Sequence, residues 1–299
     1  MVVQELLQPS YLNQPPKNNK RGDAPLFFMQ TLKQLIIQKK TPLIMGVLNV
    51  TPDSFSDGGK YLNVAVAVKH AMRMIEDGAL IIDIGGESTR PSAHEVPFEE
   101  EKNRVEPIIK ALRKETDIYI SLDTNKPELM KLGIDLGVNM INDIYALAKP
   151  DALNVISKSA VDVCLMHMKG SPETMQNNPT YHDVLSEVDC FLREKIQKCV
   201  DHGIDISRVM IDPGFGFGKS HDDNMKLFSQ IDLLASNQCP LMIGLSRKSM
   251  IKNLVGENEG AIIQGSALMA AMAGKKGAKV LRVHDVKATK IAIELLNYL

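Results

Sequence analysis

The 299-residue sequence has almost no surplus of charge: 35 lysines and arginines against 36 acids leave a formal net charge of -1. A broad basic field that would hold nucleic acid or an anionic membrane is thereby excluded, so anion binding must come from a local cluster of basic groups. Cysteine is scarce. Cys164, Cys190, Cys199 and Cys239 show neither CxxC pairing nor metal-ligand spacing, and Cys190 and Cys199 sit too far apart along one helical pattern to bridge. They read as reduced packing thiols of a cytoplasmic protein. The histidines at 70, 94, 182, 202 and 221 form no HxxxH or HxxE pattern, which argues against a dedicated transition-metal site. The first residues lack a positive stretch followed by an apolar one, so no secretory signal is expected. No apolar run approaches the roughly 20 residues of a membrane span, and no interdomain linker divides the chain.

What is present is ordinary in bulk, with 44% hydrophobic and 24% charged residues, and informative in order. Residues 1–25 are rich in Pro, Asn and Lys with little apolar periodicity and read as a flexible extension. Residues 26–40 suit a short element packed against the end of a larger body. From Thr41 onward, short apolar runs alternate with longer amphipathic segments. The runs are Pro42–Leu48, Ala79–Ile84, Ile118–Leu122, Val138–Ile141, Val161–Met166, Arg208–Ile211, Pro240–Leu245 and Ala278–Val283. The helical segments lie near 64–77, 99–114, 127–136, 151–159, 181–203, 222–236, 260–275 and 286–298. Eight strands alternating with eight helices imply a parallel sheet covered on both faces. The length and the short connections favour closure into a (β/α)8 TIM barrel over residues 26–299. An open doubly wound sheet is disfavoured, because no GxGxxG turn follows the first strand.

Every strand end carries polar chemistry: Asn49, Asp83, Asp123, Asn142 with Asp143, His167, Asp212, Ser246, and Arg282 with His284. In a barrel these ends converge on one mouth, where active sites lie. A single strand-end Asp is usually a helix cap, and Asp123 could cap the helix starting near Pro127. Three acids and an amide around one mouth suit a flat, nitrogen-rich ring or a developing positive charge better. Asp83-Ile-Gly-Gly-Glu-Ser-Thr-Arg-Pro91 ends a strand in an acid and offers Ser88, Thr89 and Arg90 to an anion. Asp212-Pro-Gly-Phe-Gly-Phe-Gly-Lys219 resembles a phosphate loop but lacks Walker spacing; Phe217 in it suits stacking on a ring. In Ser246-Arg-Lys-Ser249 one basic group must face the mouth, and Lys248 is the choice. Alternation puts Arg282 and His284 on one face, a clamp for pyrophosphate. Asn49 and Phe55 suit a loop closing over substrate. His167 reads as loop-shaping rather than catalytic.

Five of these runs, in this order, resemble the signature segments of bacterial dihydropteroate synthases: Met45–Gly59, Asp83–Pro91, Asp212–Lys219, Ser246–Ser249 and Arg282–Val286. The resemblance spans about Pro42 to Leu299. It implies condensation of 6-hydroxymethyl-7,8-dihydropterin pyrophosphate with p-aminobenzoate by an SN1-like, Mg²⁺-assisted route, in a cytoplasmic homodimer of the class that sulfonamides target. It further implies that Asn49 holds Mg²⁺. Asp123, Asn142, Met166, Asp212, Phe217 and Lys248 would bind the pterin, and Asn49, Arg90, Arg282 and His284 the pyrophosphate. Phe55, Ser88, Thr89, Pro91, Phe217, Ser246 and Lys248 would frame the p-aminobenzoate pocket, with Asp83, Asp123, Lys248 and Arg90 catalytic. Ser92 replaces the usual glycine of the second loop, and Ala261–Gln264 replaces a common acidic-basic pair. The rivals are a pterin-binding methyltransferase, which has no leaving pyrophosphate and no need of Arg282, His284 and Lys248, and a non-catalytic pterin-binding relative.

Overall fold

The computed structural model describes residues 31–51, 60–88, 95–235 and 238–298. Eight parallel strands run around a barrel: β1 (Leu43–Asn49), β2 (Ile81–Gly85), β3 (Tyr119–Asp123), β4 (Met140–Asp143), β5 (Asp162–Met166), β6 (Val209–Asp212), β7 (Met242–Ile243) and β8 (Val280–Val283). Ladders join neighbours from β6 back through β1 to β8 and β7. A parallel bridge between Ile211 and Leu241 links β6 to β7 and brings the ends of the sheet together. β7 is shorter than its apolar run because Gly244 and Leu245 leave the ladder. Around the strands lie α2 (Lys60–Glu76), α3 (Phe98–Glu115), α4 (Pro127–Asp135), α5 (Ala152–Ser157), α6 (Val184–Asp201), α7 (His221–Ser229), α8 (Ile231–Ala235), α9 (Ser249–Val255), α10 (Glu259–Lys275) and α11 (Val286–Leu296). The helix expected over 222–236 is thus two helices, and α9 is an additional short one after Lys248.

Strands of a barrel bury both faces, and alternation sorts their residues into two separate apolar clusters. Outward-facing Ile44, Leu48, Ile82, Ile84, Leu122, Ile141, Val163, Leu165 and Leu281 pack under the helices. Inward-facing Leu43, Met45, Ile81, Tyr119, Met140, Cys164, Met210, Met242 and Val280 fill the lower barrel. Each such fully buried aliphatic side chain contributes roughly 1.5–3 kcal/mol relative to exposure. The lower end is sealed by α1 (Leu32–Gln38), whose Leu32 and Leu35 join the interior cluster. A capping box on Thr31 starts this helix. The Leu32 amide donates to Asp162 Oδ2 at 2.8 Å, and the Tyr119 hydroxyl donates to the same oxygen at 2.6 Å. The short element expected over 26–40 is therefore, where described, a floor to the barrel. The proposed extension 1–25 lies outside the described residues. All four cysteines are free thiols, but only Cys164, Cys199 and Cys239 are buried packing groups, whereas Cys190 is exposed on α6; no helix among the described residues is long and apolar enough to cross a membrane.

Candidate active site

Two residues above the apolar floor, the inward positions turn polar. Ile81 is followed inward by Asp83, Tyr119 by Ser121, Met140 by Asn142, Met210 by Asp212 and Val280 by Arg282. Asp83, Ser121, Asn142 and Asp212 are all buried. A buried ring of this kind must satisfy its own polar groups, and Arg282 organises it. Its Nε donates to Asp83 Oδ2 at 2.7 Å and its Nη2 to Asp123 Oδ2 at 2.7 Å. Ser121 donates to Asp83 Oδ1 at 2.5 Å, and the Asn142 amide nitrogen lies 3.4 Å from Oδ2. Asp123 therefore faces the barrel rather than capping α4, whose N-cap, Lys126, makes no side-chain cap bond. Burial pushes the Asp123 carboxyl up to about 8 against the opposing pull of Arg282. Burial disfavours charge on Arg282, yet Asp83 and Asp123 outweigh it and hold the guanidinium more firmly protonated than usual. Two glycines leave space in this ring. A Cβ on Gly85 would stand 3.6 Å from Asp123 Cβ and 3.7 Å from Asn49 Oδ1; one on Gly244 would stand 3.8 Å from Arg282 Cβ and 3.9 Å from Asp212 Oδ2.

The opposite wall is built by the loop after β6. The Gly214 amide donates to Asp212 Oδ1 at 2.7 Å, and burial raises the Asp212 carboxyl above its ordinary range. Lys248 reaches this loop: its ammonium donates to the Phe215 carbonyl and lies 4.5 Å from the centre of the Phe217 ring. Burial lowers Lys248 to about 8, although Asp212 favours its charge. Its neighbour Arg247, at φ 60°, turns outward and pairs with Asp285 through Nε at 2.9 Å and Nη2 at 2.6 Å. Ser246 does not stand alone in the mouth. Its hydroxyl lies 3.1 Å from His284 Nδ1 and accepts from the His284 amide at 3.2 Å, joining the ends of β7 and β8. Met166 is buried at the end of β5, beside Gly214. Asn49 ends β1 half-buried, beside the space over Gly85.

The structure thus brings Asn49, Asp83, Asp123, Asn142, Met166, Asp212, Phe217, Ser246, Lys248, Arg282 and His284 to one mouth. Ser88 lies on the loop after β2. Phe55, Thr89, Arg90 and Pro91, like Ser92, lie outside the described residues. Asp143 separates from Asn142: it is fully buried and accepts from the Tyr145 and Leu147 amides at 2.8 Å each, shaping its own loop. Sequence reasoning missed Ser121, although its place two residues beyond Tyr119 on an inward face marks it. It also missed a clamp at the base of the second loop. There Lys126 joins Glu87 at 2.5 Å and Glu101 at 2.7 Å, and Glu87 also accepts from the Val96 amide at 3.0 Å.

Fold and site together define a barrel enzyme that receives a polar, ring-shaped, anion-bearing substrate at the carboxyl ends of its strands. The pterin binding enzyme family model matches residues 45–284. Dihydropteroate synthase of Escherichia coli K12 is 46% identical over 256 residues, covering 86% of this chain and 91% of that protein. The Haemophilus influenzae enzyme of the same name is 46% identical over 248 residues, 83% and 90% of the respective chains. Xanthomonas albilineans dihydropteroate synthase, solved with 4-aminobenzoic acid, superposes with a TM-score of 0.82 at 46% identity, covering 87% of this chain and 93% of that one. The same bacterium's enzyme in complex with 7,8-dihydropteroate gives 0.78 at 42% identity, with 87% and 94% covered. The chain belongs to the dihydropteroate synthase family.

Proposed function

We propose that this chain condenses 6-hydroxymethyl-7,8-dihydropterin pyrophosphate with p-aminobenzoate, giving 7,8-dihydropteroate and pyrophosphate in folate biosynthesis. The observation that carries this reading is Arg282 held between Asp83 and Asp123 inside a polar ring that also contains Asn142 and Asp212. In a methyltransferase acting on the same ring system, which has no pyrophosphate, such a cation would serve only to neutralise Asp83 and Asp123. The relatives solved with 4-aminobenzoic acid and with 7,8-dihydropteroate support the same substrates here. A sulfonamide complex of the Yersinia pestis enzyme, at 43% identity, TM-score 0.82 and coverage of 86% of this chain and 94% of that one, supports sulfonamide binding.

In this reading Asp123, Asn142 and Asp212 accept hydrogen bonds from the N–H edge of the pterin, while Met166 packs on its face. The bond between the exocyclic methylene carbon and the pyrophosphate oxygen breaks first, and its electron pair leaves with the pyrophosphate. The methylene cation is conjugated with the ring. Asp83 and Asp123 stabilise it in a site of low dielectric, where fixed charges act strongly. Arg282, His284, Asn49 and Arg90 receive the departing anion. The weakly basic amine of p-aminobenzoate then forms the carbon–nitrogen bond and loses a proton, in a pocket framed by Phe217, Lys248, Ser246, Ser88, Phe55, Thr89 and Pro91. Water would capture the same cation, so its exclusion matters.

Mg²⁺ takes oxygen ligands and commonly combines one or two protein groups with substrate phosphates and water. The amide oxygen of Asn49, beside the space over Gly85, fits such a requirement. No group of three or more His, Cys, Asp or Glu among the described residues makes a self-sufficient cage. When bound, the ion would neutralise charge on the leaving pyrophosphate. A homodimer is the expected assembly; the exposed Leu268 and Met272 of α10 and Ile291 and Leu295 of α11 are apolar groups it could cover. The deciding experiment measures pyrophosphate release with and without p-aminobenzoate and Mg²⁺. Release that needs both is expected. Confirmed pterin binding without release would overturn the reading.

A further inference from the structure

One buried cation takes no part in the chemistry above. Lys219 ends the loop after β6 with 2% of its surface exposed, and among the described residues it forms no ion pair with a carboxylate. Its ammonium instead donates to three neutral acceptors: the Gly214 carbonyl at 2.8 Å, the Phe217 carbonyl at 3.2 Å and His167 Nδ1 at 2.9 Å. Burial brings the Lys219 ammonium down to about 7, against the pull of Asp212; in its protonated form it offers only donors, and His167 then presents the lone pair of Nδ1. Burial and the nearby Lys219 charge both depress the imidazole far below its ordinary range, which keeps that lone pair available. The ring is fixed from its other side, edge-on to Phe191 at 4.9 Å.

The two loops joined by this contact touch backbone to backbone. At Gly214 (φ +67°) a Cβ would lie 1.9 Å from the His167 carbonyl oxygen, and at Gly218 (φ +62°) 2.2 Å from that of Lys169. Tyr181 adds a hydrogen bond to the Gly218 carbonyl at 2.7 Å. Asn224 fixes the middle of the loop by accepting from the Gly216 amide at 2.8 Å. The two carbonyls that Lys219 holds, Gly214 and Phe217, bracket the Phe215 carbonyl that receives Lys248. The second of them belongs to Phe217 itself, whose ring lies beneath the Lys248 ammonium.

We propose that Lys219 and His167 form a positioning latch: by gripping the Gly214 and Phe217 carbonyls against the end of β5, they set the Phe215 carbonyl and the Phe217 ring around Lys248. Neither residue touches substrate in this assignment. Its catalytic consequence rests on the function proposed above and falls chiefly on the p-aminobenzoate pocket, which Phe217 and Lys248 frame besides meeting the pterin.

The test compares Lys219→Met, His167→Leu and His167→Asn in the full chain. The Asn side chain carries an oxygen near the position of Nδ1, so it restores the acceptor, whereas Leu removes it. Lys219→Met and His167→Leu are expected to raise KM for p-aminobenzoate about tenfold or more and to weaken pterin pyrophosphate binding by less, since Asp123 and Asn142 hold that ring independently of the loop. His167→Asn should remain within about threefold of the parent in both. Hydrogen–deuterium exchange of the Gly214–Gly218 amides should accelerate in the first two variants and not in the third. Should Lys219→Met fail to fold, the histidine pair decides alone. Identical behaviour of His167→Leu and His167→Asn, or unchanged KM and exchange in a folded Lys219→Met, would overturn the latch. A parent protein that releases no pyrophosphate sinks the proposed function instead, and the exchange comparison still decides the latch.

Discussion

Removing Arg282 should destabilise the protein as well as stop turnover. The guanidinium makes two 2.7 Å bonds, to Asp83, which has no exposed surface, and to Asp123. Breaking a buried ion pair from one side costs about 3–5 kcal/mol, because the partner is left charged and unpaired. For Arg282→Met that corresponds to a melting temperature lower by roughly 6 °C or more in a domain of this size. The deficit should depend on pH in a definite sense. Carboxyls buried without a cation keep their protons to higher pH than in the unfolded chain. Their folded-state pKa is raised, so the folded state loses stability as pH rises through that window. The gap between Arg282→Met and the parent, measured by calorimetry, should therefore be small near pH 4.5 and grow toward pH 8. Adding Asp83→Asn should recover part of it. A melting temperature unchanged at pH 8, or a gap that does not shrink in acid, would refute the argument and leave Arg282 a purely functional cation.

Two further outcomes follow from the same electrostatics. Burial brings both Asp123 and Lys248 to about 8 from opposite sides. Since the carboxylate of one and the ammonium of the other are the working forms, kcat/KM should rise toward pH 8 and fall beyond it; a flat profile from pH 6 to 9 would contradict this. Lys126→Met should cost about 3–5 kcal/mol by stranding the nearly inaccessible Glu101. Burial already raises the Glu101 carboxyl, so chemical denaturation should show this loss easing as pH falls toward 5.

Most of the barrel was legible because buried parallel strands are apolar on both faces and so read as uninterrupted runs. All eight observed strands begin and end within two residues of those runs. β7 is the shortest of them, because Gly244 and Leu245 read as strand but lie beyond the ladder. α9 was missed because seven residues carry too little periodicity to register between Lys248 and Gly256. The site residues were visible as polar groups at strand ends, but their mutual contacts were not. Asp83 and Arg282 are 199 positions apart, and only closure of the barrel makes them neighbours. For that reason Arg282 read as a pyrophosphate ligand alone, whereas it also neutralises two acids in the same mouth. Lys219 was hidden for a related reason: its partner His167 lies on the preceding strand's loop, and nothing local marks either as half of a pair.

The floor formed by α1 has a practical consequence. The chain enters the described structure at Thr31, next to Asp162 at the amino end of β5, whereas the polar mouth lies at the carboxyl ends of the strands. Whatever precedes Thr31 joins the molecule at the pole opposite to substrate entry. An affinity tag, a surface tether or a fused partner placed there would be anchored to the closed end of a cup. Immobilised enzyme should then present its mouth to solution without any redesign of the loops that do the chemistry.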